Sequence, residues 1–348
     1  MKDVVFIKEK LSEGQSFETI YREAKAIEDA REDFFVHNVA ANLKMNDSDG
    51  SLSWNYETPD GRKTMTQKPS EWALSQLSTK IGMPSGYAQK CIDSKHTALA
   101  ADNVNTWLAD QSGSARKRST NYLIRSYNGG VDGILSDRYA RFDTTRILDA
   151  CEATMDIKDY HVVGSYVSDE RMHVRLIKDK MLDVDGEDLY PGIFIDSSDV
   201  GRTSLNVRFG IWKKVCTNGM CISKVGGMLY HQRHMGIEAD EVISELKKNL
   251  VMVPSLIAKS EDIIKASRVE KLDLKDEKVF ERLVEQIRKQ ALVSQEEALK
   301  VIETAKTHYD VSKWGIANAM TLMAQKYELD KRIQIEDAAG KLITMAIA

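Results

Sequence analysis

Two cysteines and two histidines in the segment KVCTNGMCISKVGGMLYHQRHMG, residues 214–236, have the clearest potential for chemistry. Cys216, Cys221, His231 and His234 form the spacing C-x4-C-x9-H-x2-H, and zinc prefers thiolate and imidazole ligands. Structural zinc knuckles differ, because in them C-x2-4-C is followed by H-x3-5-H. We therefore favour buried thiols beside polar histidines and predict no metal, keeping these four residues as the alternative set of ligands.

Clustered carboxylates offer a second kind of site. Asp196 and Asp199 lie in FIDSSDVG, and four more acidic residues lie within 183–188. Oxygen donors of this kind suit magnesium and phosphodiester chemistry, but turns and strand ends also favour acidic residues. The chain contains no Walker-type loop, no G-x-S-x-G and no H-E-x-x-H. The sequence thus predicts no catalytic residue and no cofactor, with a metal-dependent nuclease or hydrolase as the alternative.

The charges of the chain are strongly segregated, although its net charge is only -4. Residues 116–146 contain seven basic and three acidic residues, and residues 201–237 contain six basic and no acidic residues. Between them, residues 147–200 contain thirteen acidic and five basic residues. Such asymmetry indicates a polyanion site on a protein that is not globally cationic. The alternative is that the bases pair with the acidic block between them.

The basic blocks also carry aromatic side chains on predicted strands. Cationic groups for phosphates and aromatic faces for stacking are what single-stranded nucleic acid requires. We therefore expect one open surface that binds a sugar-phosphate chain, although the aromatic residues could instead cover a hydrophobic edge. The expected phosphate contacts are Arg116, Lys117, Arg118, Arg125, Arg138, Arg141, Arg208, Lys213 and Lys214, and the expected stacking residues are Tyr127 and Trp212.

Local patterns predict the elements that hold these residues. Ser16 and Ser70 are expected N-caps, Gly82 ends the second of these helices, and Pro59-Asp60-Gly61 and Asn128-Gly129 form hairpin turns. Apolar and other residues alternate over 205–212, which is typical of a strand with one core face. From residue 238 the spacing is helical, and a capping box at Ser294 and Glu297 begins one of the helices.

These patterns predict an α+β protein with a central antiparallel sheet built from about residues 120–215. The predicted regions are a mainly helical part with a small hairpin over 1–115, a basic β core over 116–237 and a helical half over 238–348.

The composition of the 348-residue chain, which is 42% hydrophobic, is that of a globular protein with a sizeable core. Its first thirty residues are too charged for a signal peptide, and no apolar run approaches the ~18 residues of a membrane span. The four cysteines form no disulfide framework. We therefore expect a cytoplasmic protein with no membrane partner.

Several segments resemble a known family when taken in order: GILSDRYARFDTTRILDA, FIDSSDVGRTSL, VCTNGM with a downstream His, and KWGIANAMTLMAQ. They are similar to the phage/plasmid-like protein family, whose shared domain is domain of unknown function 932, over roughly residues 70–327. The resemblance implies a phage, prophage or plasmid origin and a role on mobile DNA in the host cytoplasm. It supplies no established activity and no catalytic residues that could be assigned to this chain.

The resulting functional hypothesis is a non-catalytic nucleic-acid-binding protein that favours single-stranded DNA. The order of strands and helix is also similar to the β-β-β-α core of phage annealing recombinases, which form oligomers on one DNA strand without a nucleotide cofactor. This adds strand annealing in recombination and a homo-oligomer as expectations. A protein-binding inhibitor of a host defence system is the remaining alternative.

Overall fold

The structure is a computed structural model that describes residues 15–110, 120–179, 182–184, 187–213, 218–221 and 228–344. For residues 183, 188, 213 and 218–221 only the backbone is described. Within these ranges the chain combines helices with two mostly antiparallel sheets, so the α+β class is confirmed. No helix of this part of the chain has the length and apolar composition needed to cross a membrane.

Most helices lie in the N-terminal and C-terminal parts of the sequence. In the described ranges they are α1 (Phe17–Asp29), α2 (Val39–Asn42), α3 (Glu71–Ile81), α4 (Tyr87–Asp93), α5 (Thr97–Ala109), α6 (Thr144–Thr154), α7 (Ala239–Leu250), α8 (Val253–Val269), α9 (Glu277–Ala291), α10 (Gln295–His308), α11 (Lys313–Ala324) and α12 (Leu329–Leu342). One 3-10 turn, Ile157–Asp159, precedes the second group of strands.

The strands of the described ranges contain between two and eleven residues. They are β1 (Arg31–Val36), β2 (Leu43–Met45), β3 (Leu52–Thr58), β4 (Gly61–Pro69), β5 (Tyr122–Tyr127), β6 (Gly130–Ser136), β7 (Tyr160–Val162), β8 (Tyr166–Val167), β9 (Met172–Lys178), β10 (Leu182–Val184), β11 (Glu187–Ser197), β12 (Leu205–Lys213), β13 (Asn218–Cys221) and β14 (Met228–Gln232).

These strands form two sheets where the sequence predicted one central sheet. The first has the order β1-β5-β6-β4-β3-β2, in which only the short β4–β6 pairing is parallel. The second has the order β13-β12-β11-β9-β7, with β8, β10 and β14 paired to β9, β11 and β12. The strands over 122–136 therefore join strands from the N-terminal part of the chain. Local sequence patterns do not predict which strands pair with each other when those strands are far apart in the sequence.

Each sheet buries one face against helices. Trp54 and Ile124 of the first sheet share a core with Leu74 and Leu77 of α3. The alternating residues Leu205, Val207, Phe209 and Ile211 of β12 share the larger core with α6 to α12, as their period of two predicts. Helix α3 is joined to the turn after β11 at Val200, whose carbonyl oxygen accepts hydrogen bonds from Trp72 Nε1 at 3.0 Å and Gln76 Nε2 at 2.9 Å.

The predicted caps and turns are confirmed. Ser70 accepts a hydrogen bond from the backbone of Ala73, and Gly82 ends α3 in the left-handed region at φ 88°. Asn128 and Gly129 make the β5–β6 turn with φ of 50° and 79°, which suits a two-residue hairpin. Such features depend on neighbours within a few residues, which is why the sequence predicts them correctly.

The capping box of α10 gives a first testable prediction. Ser294 Oγ accepts from the Glu297 backbone at 3.2 Å, and Glu297 Oε2 accepts from the Ser294 backbone at 2.7 Å. We expect Ser294→Ala to lower the free energy of unfolding by about 1 kcal/mol, because one helix N–H loses its partner. Urea denaturation measures this change. Gln295→Ala, at the next position, is the control, and an equal loss there would contradict the capping role.

Candidate nucleic-acid interface

The residues predicted to contact phosphate do not share one surface. Four of them have described side chains: Arg125, Arg138, Arg141 and Arg208. Lys213 is described by its backbone alone, and Arg116, Lys117, Arg118 and Lys214 lie outside the described residues.

Arg125 is buried, which overturns its predicted contact with phosphate. Its guanidinium donates to Asp33 through Nε at 2.8 Å and to both oxygens of Asp143 at 2.6 and 2.8 Å. It also donates to the carbonyl oxygen of Asp199 at 2.7 Å. Burial alone would lower the pKa of Arg125, but Asp143 and Asp33 outweigh it and raise the pKa. Arg125 therefore joins β1, β5, α6 and the chain after β11.

Arg208 and Trp212 are also buried, so their predicted roles at an open surface are corrected. Arg208 is 3% exposed and binds Asp196 and Asp337, while Trp212 is 5% exposed and packs with Tyr190. They lie on the face of β12 opposite to its apolar side chains, as alternation predicts. That second face is covered rather than open to solvent. The acidic block does neutralise Arg208, through Asp196.

Tyr127 lies apart from the exposed arginines. It ends β5 and pairs with Arg31 and Gly130, whereas Tyr122 and Ser136 pair at the other end of the hairpin. Five strand residues span about 17 Å. Tyr127 is half-buried, and the length of the hairpin separates it from Arg138, which follows Ser136.

Arg138 and Arg141 are exposed and line one cleft of about 530 Å³. Its walls are formed by residues 137–146, by Asp33 of β1 and by residues 237–240 at the start of α7. Arg141 Nη1 lies 3.3 Å from Asp33 Oδ2, and its guanidinium lies 5.4 Å from the ring centre of Phe35. Phe35 is 41% exposed, which is unusual for a phenylalanine on a strand.

One further arginine, which the sequence-based set did not include, lines this cleft. Arg146, in the first turn of α6, lines the cleft, donates to the carbonyl oxygen of Arg141 at 3.5 Å and binds Asp240. Arg233 is exposed and directly precedes His234, whose carbonyl oxygen accepts from the Ala140 backbone, but it does not line the cleft. The repeated arginines in RYARFDTTR were the available signal for Arg146. We name Arg138, Arg141 and Arg146 the arginine cleft.

Five carboxylates line the cleft together with its three arginines. Asp33 and Asp143 in the wall are bound to Arg125, and Asp240 is bound to Arg146. The remaining two lining carboxylates are Asp137 and Glu238. The Arg141–Asp33 and Arg146–Asp240 pairs are partly exposed, and such pairs contribute little to stability. An anionic ligand could therefore compete for these arginines at low cost.

Two helices begin at the cleft and add to its electrostatics. Asp143 and Glu238 are the N-cap residues of α6 and α7, and neither makes a side-chain cap hydrogen bond. In α6 the Thr144 N–H instead donates to Asp199 at 3.0 Å. The partial positive charge of a helix N-terminus favours anions, although the acidic first turn of α7 offsets it there.

The histidines of the alternative metal set do not converge. His231 Nδ1 lies 2.7 Å from Asn206 Oδ1, whereas His234 is buried between the rings of Tyr139 and Phe142. Burial lowers the pKa of His234 to about 4, so it is neutral at pH 7. In the described part of the chain no group of three or more His, Cys, Asp or Glu residues could hold a metal ion.

The cysteines of the same set are described even less completely. The backbone of Cys221 pairs with Gly210, and that of His231 pairs with Asn206 on the same edge of β12. Four strand residues span about 13 Å, which is too far for one zinc ion bound at about 2.0–2.3 Å. Cys216 lies outside the described residues. The metal alternative thus has no support from the residues that can be placed.

Asp196 and Asp199, the carboxylates of the nuclease alternative, serve separate networks. Asp196 accepts from His173 Nδ1 at 2.8 Å and Arg171 Nη2 at 3.1 Å. Burial would raise the pKa of Asp196, but His173 and the neighbouring arginines hold it at about 2. Asp199 accepts from Arg31 at 2.9 Å and from Thr144. Both carboxylates are occupied by protein donors, so neither is positioned as a metal ligand.

Comparison with known proteins bears on the same region. No curated protein and no solved structure matches the chain. The family model for a domain of unknown function (DUF932) matches residues 132–344, which include Arg138, Arg141, Arg146 and Arg233. The match begins later than the resemblance at residue 70 suggested and ends later than residue 327. Because the match covers more than half of the chain, the protein belongs to the DUF932 family.

Proposed function

We propose that the protein binds nucleic acid without catalysis, favouring single-stranded DNA, and that the arginine cleft contacts its phosphates. The observation that carries the proposal is the convergence of three arginines, Arg138, Arg141 and Arg146, on one open cleft. Guanidinium groups bind phosphate through paired N–H donors, and the salt dependence of such binding follows the number of phosphates contacted.

Phe35 supports single-stranded rather than double-stranded DNA as the ligand. Its ring is exposed beside Arg141, so a base freed from a duplex could stack there. The cleft is also too small to receive a duplex along its length, since it encloses only about 530 Å³. We also propose that the protein comes from a mobile element and acts in strand annealing. We further propose that it forms a homo-oligomer and is located in the cytoplasm.

The carboxylates of the cleft determine the affinity and the salt dependence that we expect for binding. A phosphate that binds Arg141 or Arg146 must displace Asp33 or Asp240 from it. Each displaced pair is partly exposed and worth about 0–1 kcal/mol, which is less than a charged hydrogen bond to phosphate contributes, at about 1.5–3 kcal/mol. Binding should therefore be modest at physiological salt and fall steeply as salt rises.

Replacing two cleft arginines tests the proposal. Arg138→Ala/Arg141→Ala should weaken binding of a labelled oligothymidylate of about 20 nucleotides and reduce the slope of log K against log salt by about 1.4. Fluorescence anisotropy at several salt concentrations measures both quantities, with duplex DNA and single-stranded RNA as comparison ligands.

A matched control removes the same charge elsewhere. Arg282→Ala/Arg288→Ala changes two exposed arginines of α9, a helix that packs against α10 and α12. This control should keep the wild-type slope. Equal slopes for all three proteins would remove the cleft from the interface, and tighter binding of duplex than of single strand would reject the preference for single strands.

A further inference from the structure

A second set of arginines lies on the covered face of the second sheet. Arg171 directly precedes β9, Arg175 lies within it, and Arg208 lies on β12. Phe194 of β11 pairs with both Arg175 and Arg208, which places the two arginines on one face, and Asp196 binds Arg171 and Arg208. We name Arg171, Arg175 and Arg208 the basic row.

Helix α12 supplies one carboxylate to each arginine of this row. Asp330 binds Arg171. Glu336 Oε2 lies 2.9 Å from Arg175 Nη2, and Asp337 Oδ1 lies 3.3 Å from Arg208 Nη1. The match is therefore one to one.

The charges on the two sides are complementary. The basic row with Asp196 carries a formal charge of +2, and the three α12 carboxylates with Arg332, which binds Glu336 at 2.8 Å, carry -2. The opposite face of the same strands is packed with Val174, Ile195 and Val207. One face of the sheet is thus packed with apolar side chains, whereas the other combines buried arginines with a small apolar cluster of Ile177, Phe194 and Trp212.

Buried ion pairs are an inefficient way to attach a helix. Removing two charges from water costs several kcal/mol per ion, and well-packed apolar replacements are often equally or more stable. Arg175, Arg208 and Glu336 are each 3% exposed or less. Attachment alone therefore does not account for the buried arginines at positions 175 and 208, whereas a face that must also meet an anion would require them.

Aromatic rings flank the basic row, as they do at single-strand binding sites. The guanidinium of Arg175 lies 5.2 Å from the ring centre of Phe194. Tyr166 is 39% exposed and its ring centre lies 6.1 Å from that of His173. His173 accepts from Arg175 Nε at 3.1 Å and donates to Asp196, so it holds the guanidinium of Arg175 in one orientation.

We propose that the basic row is a polyanion-binding surface which α12 keeps closed, the carboxylates of Asp330, Glu336 and Asp337 taking the places of phosphates. This inference rests on the proposed nucleic-acid binding and adds a second, occluded surface to it. Helix α12 also buries Ile335, Ala339 and Leu342, so it stays docked in the free protein and a polyanion must compete with it.

Weakening the closing contacts tests the inference. Asp330 and Asp337 are 81% and 29% exposed, so Asp330→Asn/Asp337→Asn should fold. We expect the double variant to bind an oligothymidylate of about 20 nucleotides about tenfold more tightly than its control, with a steeper salt slope. Hydrogen exchange of residues 329–342 should rise when the oligonucleotide is added, because the helix is displaced.

The control is Glu296→Gln/Glu303→Gln on the exposed side of α10, which raises the net charge by the same amount. Equal affinities of the two double variants, or unchanged exchange of α12 with DNA present, would overturn the inference. Measuring both variants again with Arg138→Ala/Arg141→Ala separates the two proposals. If Asp330→Asn/Asp337→Asn still raises the affinity for the oligonucleotide in this background, the basic row is supported even when the cleft variant alone has no effect. If the cleft variant lowers the affinity but Asp330→Asn/Asp337→Asn does not raise it, only the inference about the basic row is rejected.

Discussion

Arg125→Ala is expected to lower the free energy of unfolding by about 3–5 kcal/mol, because it leaves Asp33 and Asp143 without their shared partner in a buried site. Asp33 and Asp143 are 19% and 17% exposed, so water cannot fully replace the guanidinium. Chemical denaturation at pH 7 measures the change. The effect reaches both sheets, since the same guanidinium also holds the Asp199 carbonyl oxygen.

The exposed Arg138→Ala is the control for this experiment and should change stability by about 0.5 kcal/mol or less. The pair of variants separates a structural arginine from a ligand-binding one. If Arg125→Ala kept full stability and lost oligonucleotide binding, the buried position of Arg125 would be wrong and its contact with phosphate would be restored.

Asp132→Asn should stabilise the protein at pH 8. It should also remove the contribution of Asp132 to the pH dependence of the free energy of unfolding. Asp132 is 7% exposed, and its Oδ2 has no hydrogen-bond partner among the described residues. Burial, aided by Asp169 and Glu170 and opposed by Arg31 at 3.9 Å, raises the pKa of Asp132 to about 7.

The direction of the effect follows from the two states. An unfolded aspartate has a pKa of about 3.9, so between about pH 4 and pH 7 the folded state holds a proton that the unfolded state has lost. Stability therefore falls as pH rises through this window and levels off above it. Three pKa units correspond to about 4 kcal/mol, which is an upper bound on the gain from Asp132→Asn at pH 8.

The measurement is the difference in unfolding free energy between wild type and variant at several pH values. It should grow from near zero at pH 4 and become constant above pH 7. Asp60→Asn, at a carboxylate that is 85% exposed, is the control and should show no such growth. A difference that is independent of pH would mean that Asp132 is ionised throughout this range.

The sequence by itself determined the local structure of this protein. The caps at Ser70 and Ser294, the end of α3 at Gly82 and the turn at Asn128-Gly129 follow from contacts within a few residues. Alternation along 205–212 also assigned the apolar side chains to one face of β12 correctly. The family was recognisable from short segments, because residue identity in order carries that information.

Only the tertiary structure decided which arginines meet solvent. Alternation shows which residues share a face of a strand, but whether that face is covered depends on elements elsewhere in the chain. Asp33 lies 92 residues before Arg125, and Asp337 lies 129 residues after Arg208. The same long-range packing buried Trp212 and left Arg138 and Arg141 open beside Arg146. Charge counts predict that the arginines pair with anions. The fold determines whether those anions are carboxylates of the same protein.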